Sequence, residues 1–163
     1  MKKREHLPLY GVGPFIGVFQ VAITIIGVIL SYNGYLEFGK IELLNIPLKI
    51  IGFILIIFGA YLFYGAHYKA KLFDKVSNNQ LVTTGVYSIV RNPVYSGILS
   101  ACTGVVCITN NVVLFIVPVI CWAFISIVLK LSEEKWLKNL YGDEYVKYCT
   151  RVNRCIPWLS KNK

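Results

Sequence analysis

The stretch Asn79-Gln80-Leu81-Val82-Thr83-Thr84-Gly85-Val86-Tyr87-Ser88-Ile89-Val90-Arg91-Asn92-Pro93-Val94-Tyr95-Ser96-Gly97-Ile98-Leu99-Ser100 starts polar, turns at Gly85 and launches an apolar run. Asn92 followed by Pro93 spells a helix start, since Asn is a favoured N-cap and Pro at the first helical position forfeits no useful hydrogen bond. After Pro93 the chain carries no charge until Lys130. The helix is therefore apolar enough to enter a bilayer, and its free N–H groups, beside Arg91, are expected at the membrane surface. Such an end attracts an anion such as a carboxylate. Tyr87 and Tyr95 flank it and offer aromatic faces to a cation. A ligand carrying both charges suits the place.

The apolar run is too long for one span, and Thr109-Asn110-Asn111 breaks it near its middle. Spans at 93–109 and 112–130 would form a helical hairpin, with Pro118 kinking the second. Upstream, the uncharged run from His6 to Leu36 predicts a membrane helix at 10–33. It is too long for a signal-peptide core and shows no A-x-A cleavage site, so it reads as a retained helix. Gly13 and Gly17 make a G-x-x-x-G spacing, which glycine-rich membrane helices produce by chance. Asn33 to Lys49 reads as a loop closed by Pro47. A span at 50–67 follows, long enough for about 25 Å at 1.5 Å per residue. It ends in the basic, aromatic edge His67-Tyr68-Lys69-Ala70-Lys71.

Composition agrees with this division. The 163 residues are 56% hydrophobic and only 15% charged, with a mean hydropathy of +0.59. A soluble domain would carry about a quarter charged residues. The expected fold is an all-α integral membrane protein of about four transmembrane helices, one domain over 1–163. The connecting loop is 68–92 and the tail 131–163. The net charge of +9 sits in residues that flank apolar runs, which points to membrane topology and not to nucleic acid. Lys2, Lys3, Arg4, Lys69, Lys71, Lys75, Arg91 and every basic residue from Lys130 onward fall on one side; only Lys40 and Lys49 fall on the other. That asymmetry predicts cytoplasmic termini, loop and tail. The five cysteines show no metal or disulfide spacing, and His6 and His67 are far apart, so no metal is expected.

Glu133 and Glu134 are the second feature. Read as the C-terminal end of the last span, adjacent carboxylates oppose the helix dipole and repel each other. Lys130, Lys135 and Lys138 would neutralise a solvated pair. Alternatively, one carboxylate turns inward to hold an ammonium, and the hairpin brings it beside Asn92–Tyr95. Glu133 would then be the neighbour of Asn92–Tyr95 across a pocket, with Glu134 pointing a further 100° round the helix.

Leu81-Val82-Thr83-Thr84-Gly85-Val86-Tyr87 and Arg91-Asn92-Pro93-Val94-Tyr95-Ser96-Gly97 resemble the signature of isoprenylcysteine carboxyl methyltransferases and their prokaryotic relatives. Glu133-Glu134, Tyr141-Gly142-Asp143-Glu144-Tyr145-Val146-Lys147-Tyr148 and Ile156-Pro157 match a second block of that family. The resemblance covers roughly the second half of the chain. It implies a membrane enzyme that binds S-adenosylmethionine without a Rossmann fold and methylates a lipophilic acceptor reached from the bilayer, by carboxyl O-methylation of an isoprenylcysteine-like substrate. It places cofactor binding on Asn79, Gln80, Leu81, Val82, Tyr87, Asn92, Pro93, Val94, Tyr95 and Glu133, with Arg91, Tyr95, Arg151 and Arg154 as positioning candidates. In-line methyl transfer needs alignment and exclusion of water more than an acid–base pair, so the absence of a catalytic triad is no objection.

Two departures bear on the acceptor. The family's usual histidine is Asn92 here, as in phospholipid N-methyltransferases of related architecture, which use Asn-Pro-x-Tyr. Where prenylcysteine enzymes carry a substrate-contacting arginine, four residues before the glutamate, this chain has Leu129, followed by Lys130. Without that fork a farnesylated cysteine is expected to be a poor acceptor. The alternatives are a phospholipid or small-amine N-methyltransferase, a sterol-reductase-like oxidoreductase of much greater length, and a non-enzymatic membrane scaffold or transporter subunit. The last would carry intramembrane charges along a path, and these spans have none.

Overall fold

The computed structural model describes residues 12–69 and 80–157. Within them the regular structure is helical, apart from an isolated bridge between Lys40 and Asn111. Four long helices come first: α1 Gly13–Tyr32, α2 Asn45–Tyr64, α3 Pro93–Ile108 and α4 Ile116–Leu131. Two short helices follow, α5 Glu133–Tyr141 and α6 Asp143–Arg151. The segments Gly13–Tyr32, Glu42–Tyr68 and Val112–Tyr141 are long and apolar enough to cross a membrane, and α3 is a shorter apolar helix. Phe15, Val18, Ile26, Phe53, Ile54 and Ile57 point outward from α1 and α2, as lipid-facing side chains do. The chain is an integral membrane protein.

The structure shifts several expected boundaries. Helix α2 begins at Asn45, so Pro47 lies in its first turn, where a missing N–H costs little. Beyond Tyr64 the helix widens into a π turn over Gly65–Lys69. Pro118 does not kink a span: a 3-10 turn over Val112–Phe115 precedes α4, and the proline sits in the first turn of the helix. At the other end, Ser132 (φ −119°, ψ −88°) breaks the helix and a new one starts at Glu133. The acidic pair is therefore in a first turn and complements the dipole that the sequence suggested it opposed.

Helix α3 is central, touching α2, α1 and α4, and its tightest partner is α2. Two reciprocal glycine pairs explain this. A Cβ on Gly59 would stand 2.4 Å from the Gly97 carbonyl oxygen, and one on Gly97 2.7 Å from that of Gly59. Gly52 and Gly104 repeat the arrangement at 2.6 and 2.5 Å. The antiparallel helices thus meet backbone to backbone at two levels seven residues apart. The hairpin partner α4 touches α3 less closely and also packs across α1, where Phe19 and Phe124 stack at 4.0 Å. Gly17, the second glycine of the G-x-x-x-G spacing, has room: its Cβ would meet only the Ile98 side chain, at 3.4 Å.

At the end of the bundle away from α5, buried Asn111 ties the two connections together. Its amide donates to Ser31 Oγ at 3.0 Å and to the Leu36 carbonyl at 2.7 Å, while its oxygen accepts the Val113 N–H at 3.1 Å. Asn110 takes positive φ (51°) and donates to the Ile41 carbonyl at 2.9 Å. The polar break read in the sequence is thus also the clasp between the loops.

Because the obstacle at Gly59 is backbone, no rotamer change relieves it. Gly59→Ala is expected to cost about 1–3 kcal/mol, lowering the melting temperature in detergent by roughly 3–10 °C. Gly17→Ala should leave it nearly unchanged. Equal melting temperatures for the two variants would show that the α2–α3 contact is not close-packed.

Candidate functional site

The site lies where the N-terminus of α3 meets the start of α5. Gly85 (φ +65°) turns the preceding chain into a 3-10 turn over Gly85–Ser88, and Ser88 Oγ closes it by donating to the Gly85 carbonyl at 2.7 Å. The turn lays Val86 and Tyr87 against Leu62 and Ala66 at the end of α2, with Val82 and Val90 completing a buried cluster. Next, Asn92 and Pro93 start α3 as the sequence predicts, but Asn92 does not cap it. Its side-chain amide donates to the Arg154 carbonyl at 3.0 Å, leaving the first-turn N–H groups without that cap.

The two adjacent carboxylates take different partners. Glu133 Oε1 accepts the Tyr95 hydroxyl at 2.6 Å, and the Val12 backbone N–H also favours the ionised form. Burial outweighs both and holds the Glu133 pKa above its usual carboxylate range. Glu134 turns the other way. Arg154 grips it in a fork, Nε to Oε1 at 2.6 Å and Nη2 to Oε2 at 2.8 Å, and Arg91 Nη2 reaches Oε1 at 3.2 Å. The other arm of Arg91 contacts Cys149 Sγ. Glu134 is thus neutralised twice over, while Glu133 has no ion-pair partner among the described residues.

Beneath the Tyr95–Glu133 pair the wall is apolar. Ile16, Ile125, Leu129 and Cys155 pack around Tyr95, and Leu129 is fully buried. The remaining candidates are spread around this centre. Asn79 lies outside the described residues. Gln80 is exposed; Leu81 is half-buried against Tyr145, Tyr148 and Val152; Val82 and Pro93 are buried; and half-buried Val94 bridges the two clusters. Arg151 faces outward at the end of α6.

Sequence reasoning missed how the chain after α6 is held. Residues 153–155 run beside 91–96: the Arg91 N–H donates to the Asn153 carbonyl at 2.9 Å and Ser96 Oγ to the Cys155 carbonyl at 2.7 Å. Tyr148 donates its hydroxyl to the Tyr87 carbonyl at 2.5 Å. The spacing of Tyr145 and Tyr148 on one helix face was the available signal. Burial and the neighbouring Tyr148 and Glu133 raise the Tyr87 pKa, so its phenol stays neutral.

Glu134→Gln should loosen this tail. Removing the charge that both arginines share is expected to cost about 2–3 kcal/mol, at the low end for a buried pair because Arg154 remains partly exposed. Tryptic cleavage at Arg151 and Arg154 should accelerate in the detergent-solubilised variant. An unchanged cleavage rate would show that the triad does not secure the tail.

Comparison with known proteins adds the lineage. The family model described as phospholipid methyltransferase matches residues 48–144, so the likeness takes in α2 as well as the second half of the chain. Protein-S-isoprenylcysteine O-methyltransferase B of Arabidopsis thaliana is 36% identical over 84 residues, 51% of this chain and 42% of that protein. Methanethiol S-methyltransferase 1 of Bradyrhizobium diazoefficiens is 37% identical over 73 residues, 45% of this chain and 25% of the relative. For the protein-S-isoprenylcysteine O-methyltransferase of Saccharomyces cerevisiae the values are 35% over 86 residues, 52% and 36%. The matched segments span less than half the length of these curated relatives. No solved structure gives a significant match. With more than half of its residues matched, from the start of α2 to the start of α6, this chain belongs to the phospholipid methyltransferase family.

Proposed function

We propose that the protein transfers a methyl group from S-adenosylmethionine to a lipophilic acceptor reached from the bilayer, and that the tail and the 80–92 loop face the cytoplasm. The carrying observation is the asymmetry of the acidic pair. A half-buried carboxylate with no cation beside it among the described residues, next to one that has two, suits a ligand bringing its own positive charge. S-adenosylmethionine fits: its ammonium matches Glu133, its carboxylate the first turn of α3, and its sulfonium the neutral rings of Tyr87 and Tyr95. When bound, the cofactor supplies an electrophilic methyl group.

The chain's own residues orient it and keep water out. Glu133 holds Tyr95 in place through their hydrogen bond, while Ile16, Ile125 and Leu129 exclude water beneath. The relatives named isoprenylcysteine O-methyltransferases support carboxyl O-methylation of an isoprenylcysteine-like acceptor. Among the described residues Arg91 and Arg154 both face Glu134, and Leu129 is apolar, so an acceptor carboxylate meets no free guanidinium there. A farnesyl-cysteine analogue is therefore expected to turn over with a high KM.

Titration calorimetry in detergent tests cofactor binding. Glu133→Gln keeps the shape but loses a charge-assisted hydrogen bond, about 1.5–3 kcal/mol, or roughly a ten- to hundred-fold weakening. The pH dependence follows from the raised Glu133 pKa. An ammonium pairs only with the ionised form, so affinity falls as pH drops through that pKa. The Gln variant should lose this dependence. Unchanged affinity in Glu133→Gln would reduce the residue to surface charge. Activity is tested by labelled methyl transfer from the purified protein to a farnesyl-cysteine analogue, an aminophospholipid and an extract of native lipids. Label should enter the lipid extract and, at high concentration, the farnesyl analogue; no transfer to any of them would sink the proposal.

Orientation has its own test. A cysteine replacing exposed Lys138 should resist an impermeant thiol reagent in sealed cells and react after lysis. Reaction in sealed cells would place the tail outside.

A further inference from the structure

Tyr148 stands apart from the residues proposed to touch the cofactor. It lies on α6, and its side chain is buried against Tyr145 and Val152 on the inner face of that helix. From there it meets the loop before α3 at two points. Its cluster packs on Leu81, at the start of the loop, and its hydroxyl donates to the carbonyl of Tyr87, in the 3-10 turn. Both contacted residues are on the proposed cofactor face, yet Tyr148 reaches one of them through main chain.

We infer that Tyr148 is a positioning residue: it fixes the Leu81–Tyr87 loop in the conformation that receives S-adenosylmethionine, without contacting the cofactor itself. This rests on the methyltransferase proposal above. The physical case has three parts. A 3-10 turn of four residues has few internal hydrogen bonds, so its geometry depends on outside partners. The Tyr87 carbonyl belongs to that turn, and a buried carbonyl that loses its donor is costly to leave unsatisfied. The ring of Tyr87 in turn follows its backbone, because Leu62, Ala66 and Val86 pack closely around it. Losing the hydroxyl should let the loop sample other conformations, and the cofactor must then select the competent fraction, which weakens its apparent affinity by that fraction.

The neighbouring contacts act on different atoms. Arg91, Asn92 and Ser96 are held by the main chain at 153–155, beyond α6. They fix the start of α3, whereas Tyr148 alone among these side chains holds the turn that carries Tyr87. The effect of its hydroxyl is therefore separable from that of the tail.

The test compares Tyr148→Phe, which removes only the hydroxyl, with Tyr141→Phe, which removes a hydroxyl from the same cluster. Cofactor affinity is measured by calorimetry with S-adenosylmethionine, the melting temperature is measured without cofactor, and steady-state kinetics use the best acceptor from the lipid extract. Tyr148→Phe should weaken the cofactor about ten-fold, raising its KM, with kcat and the acceptor KM little changed and the melting temperature lowered by about 2–4 °C. Tyr141→Phe should leave cofactor affinity at the wild-type value. Unchanged cofactor affinity in Tyr148→Phe overturns the inference. So does a lowered melting temperature with unchanged affinity, or equal weakening in both variants, since either marks a general packing role. If wild-type protein binds no S-adenosylmethionine, the functional proposal fails first, and that outcome is visible before any variant is made.

Discussion

The contact between α2 and α3 is made of backbone, and the rest of the arrangement follows from it. Lipid is as apolar as leucine, so membrane helices gain little by burying large side chains against each other and associate through close van der Waals contact and hydrogen bonds. Gly52, Gly59, Gly97 and Gly104 bring the two helices within reach of each other's carbonyl groups. That contact fixes the height of Pro93 relative to Leu62 and Ala66, the two α2-side residues on which the Tyr87 turn rests. It also leaves the opposite side of α3 free for α1 and α4, which deliver Ile16, Leu129 and, one residue past the helix break, Glu133.

Polar groups then close the two ends in different ways. At one end Asn111 uses its amide donor and its oxygen on three partners, and the connections are locked by neutral hydrogen bonds. The other end carries charge. There the break at Ser132 turns two consecutive glutamates into the first turn of a helix, and the side chains at successive positions diverge by about 100°. Divergence gives the pair two tasks. Glu134 faces the tail and loop and holds them through two arginines, whereas Glu133 faces Tyr95 and the space between α3 and α5. A structural ion triad and a carboxylate with no cation among the described residues therefore occupy neighbouring positions. That adjacency suits a zwitterionic ligand at an otherwise apolar membrane edge.

Much of this was legible in the residues themselves. Asn92-Pro93 marked the start of α3, Asn110-Asn111 the break between α3 and α4, and uncharged length the membrane helices, because each depends on local backbone chemistry or on summed hydropathy. The nearness of Tyr95 and Glu133 also followed from local signals, since a hairpin must bring the ends of its two helices to one surface. Two of the boundaries that moved share one cause. Proline in a first turn and proline inside a span look alike in sequence, and only the turn preceding each helix separates them, as at Pro47 and Pro118.

What the sequence determined by itself was where the chain can be helical, where it must stop, and which end of the bundle collects charge; these depend on neighbours within a turn or two. Tertiary structure decided which helix α3 embraces, since glycines spaced seven apart on two helices reveal a contact only once the helices are in register. It also decided that Asn92 donates to Arg154 instead of capping its own helix, and that Tyr148 meets Tyr87 across 61 residues. A side chain with several acceptors in reach takes the one that tertiary packing places nearest and driest, and no local pattern encodes that choice.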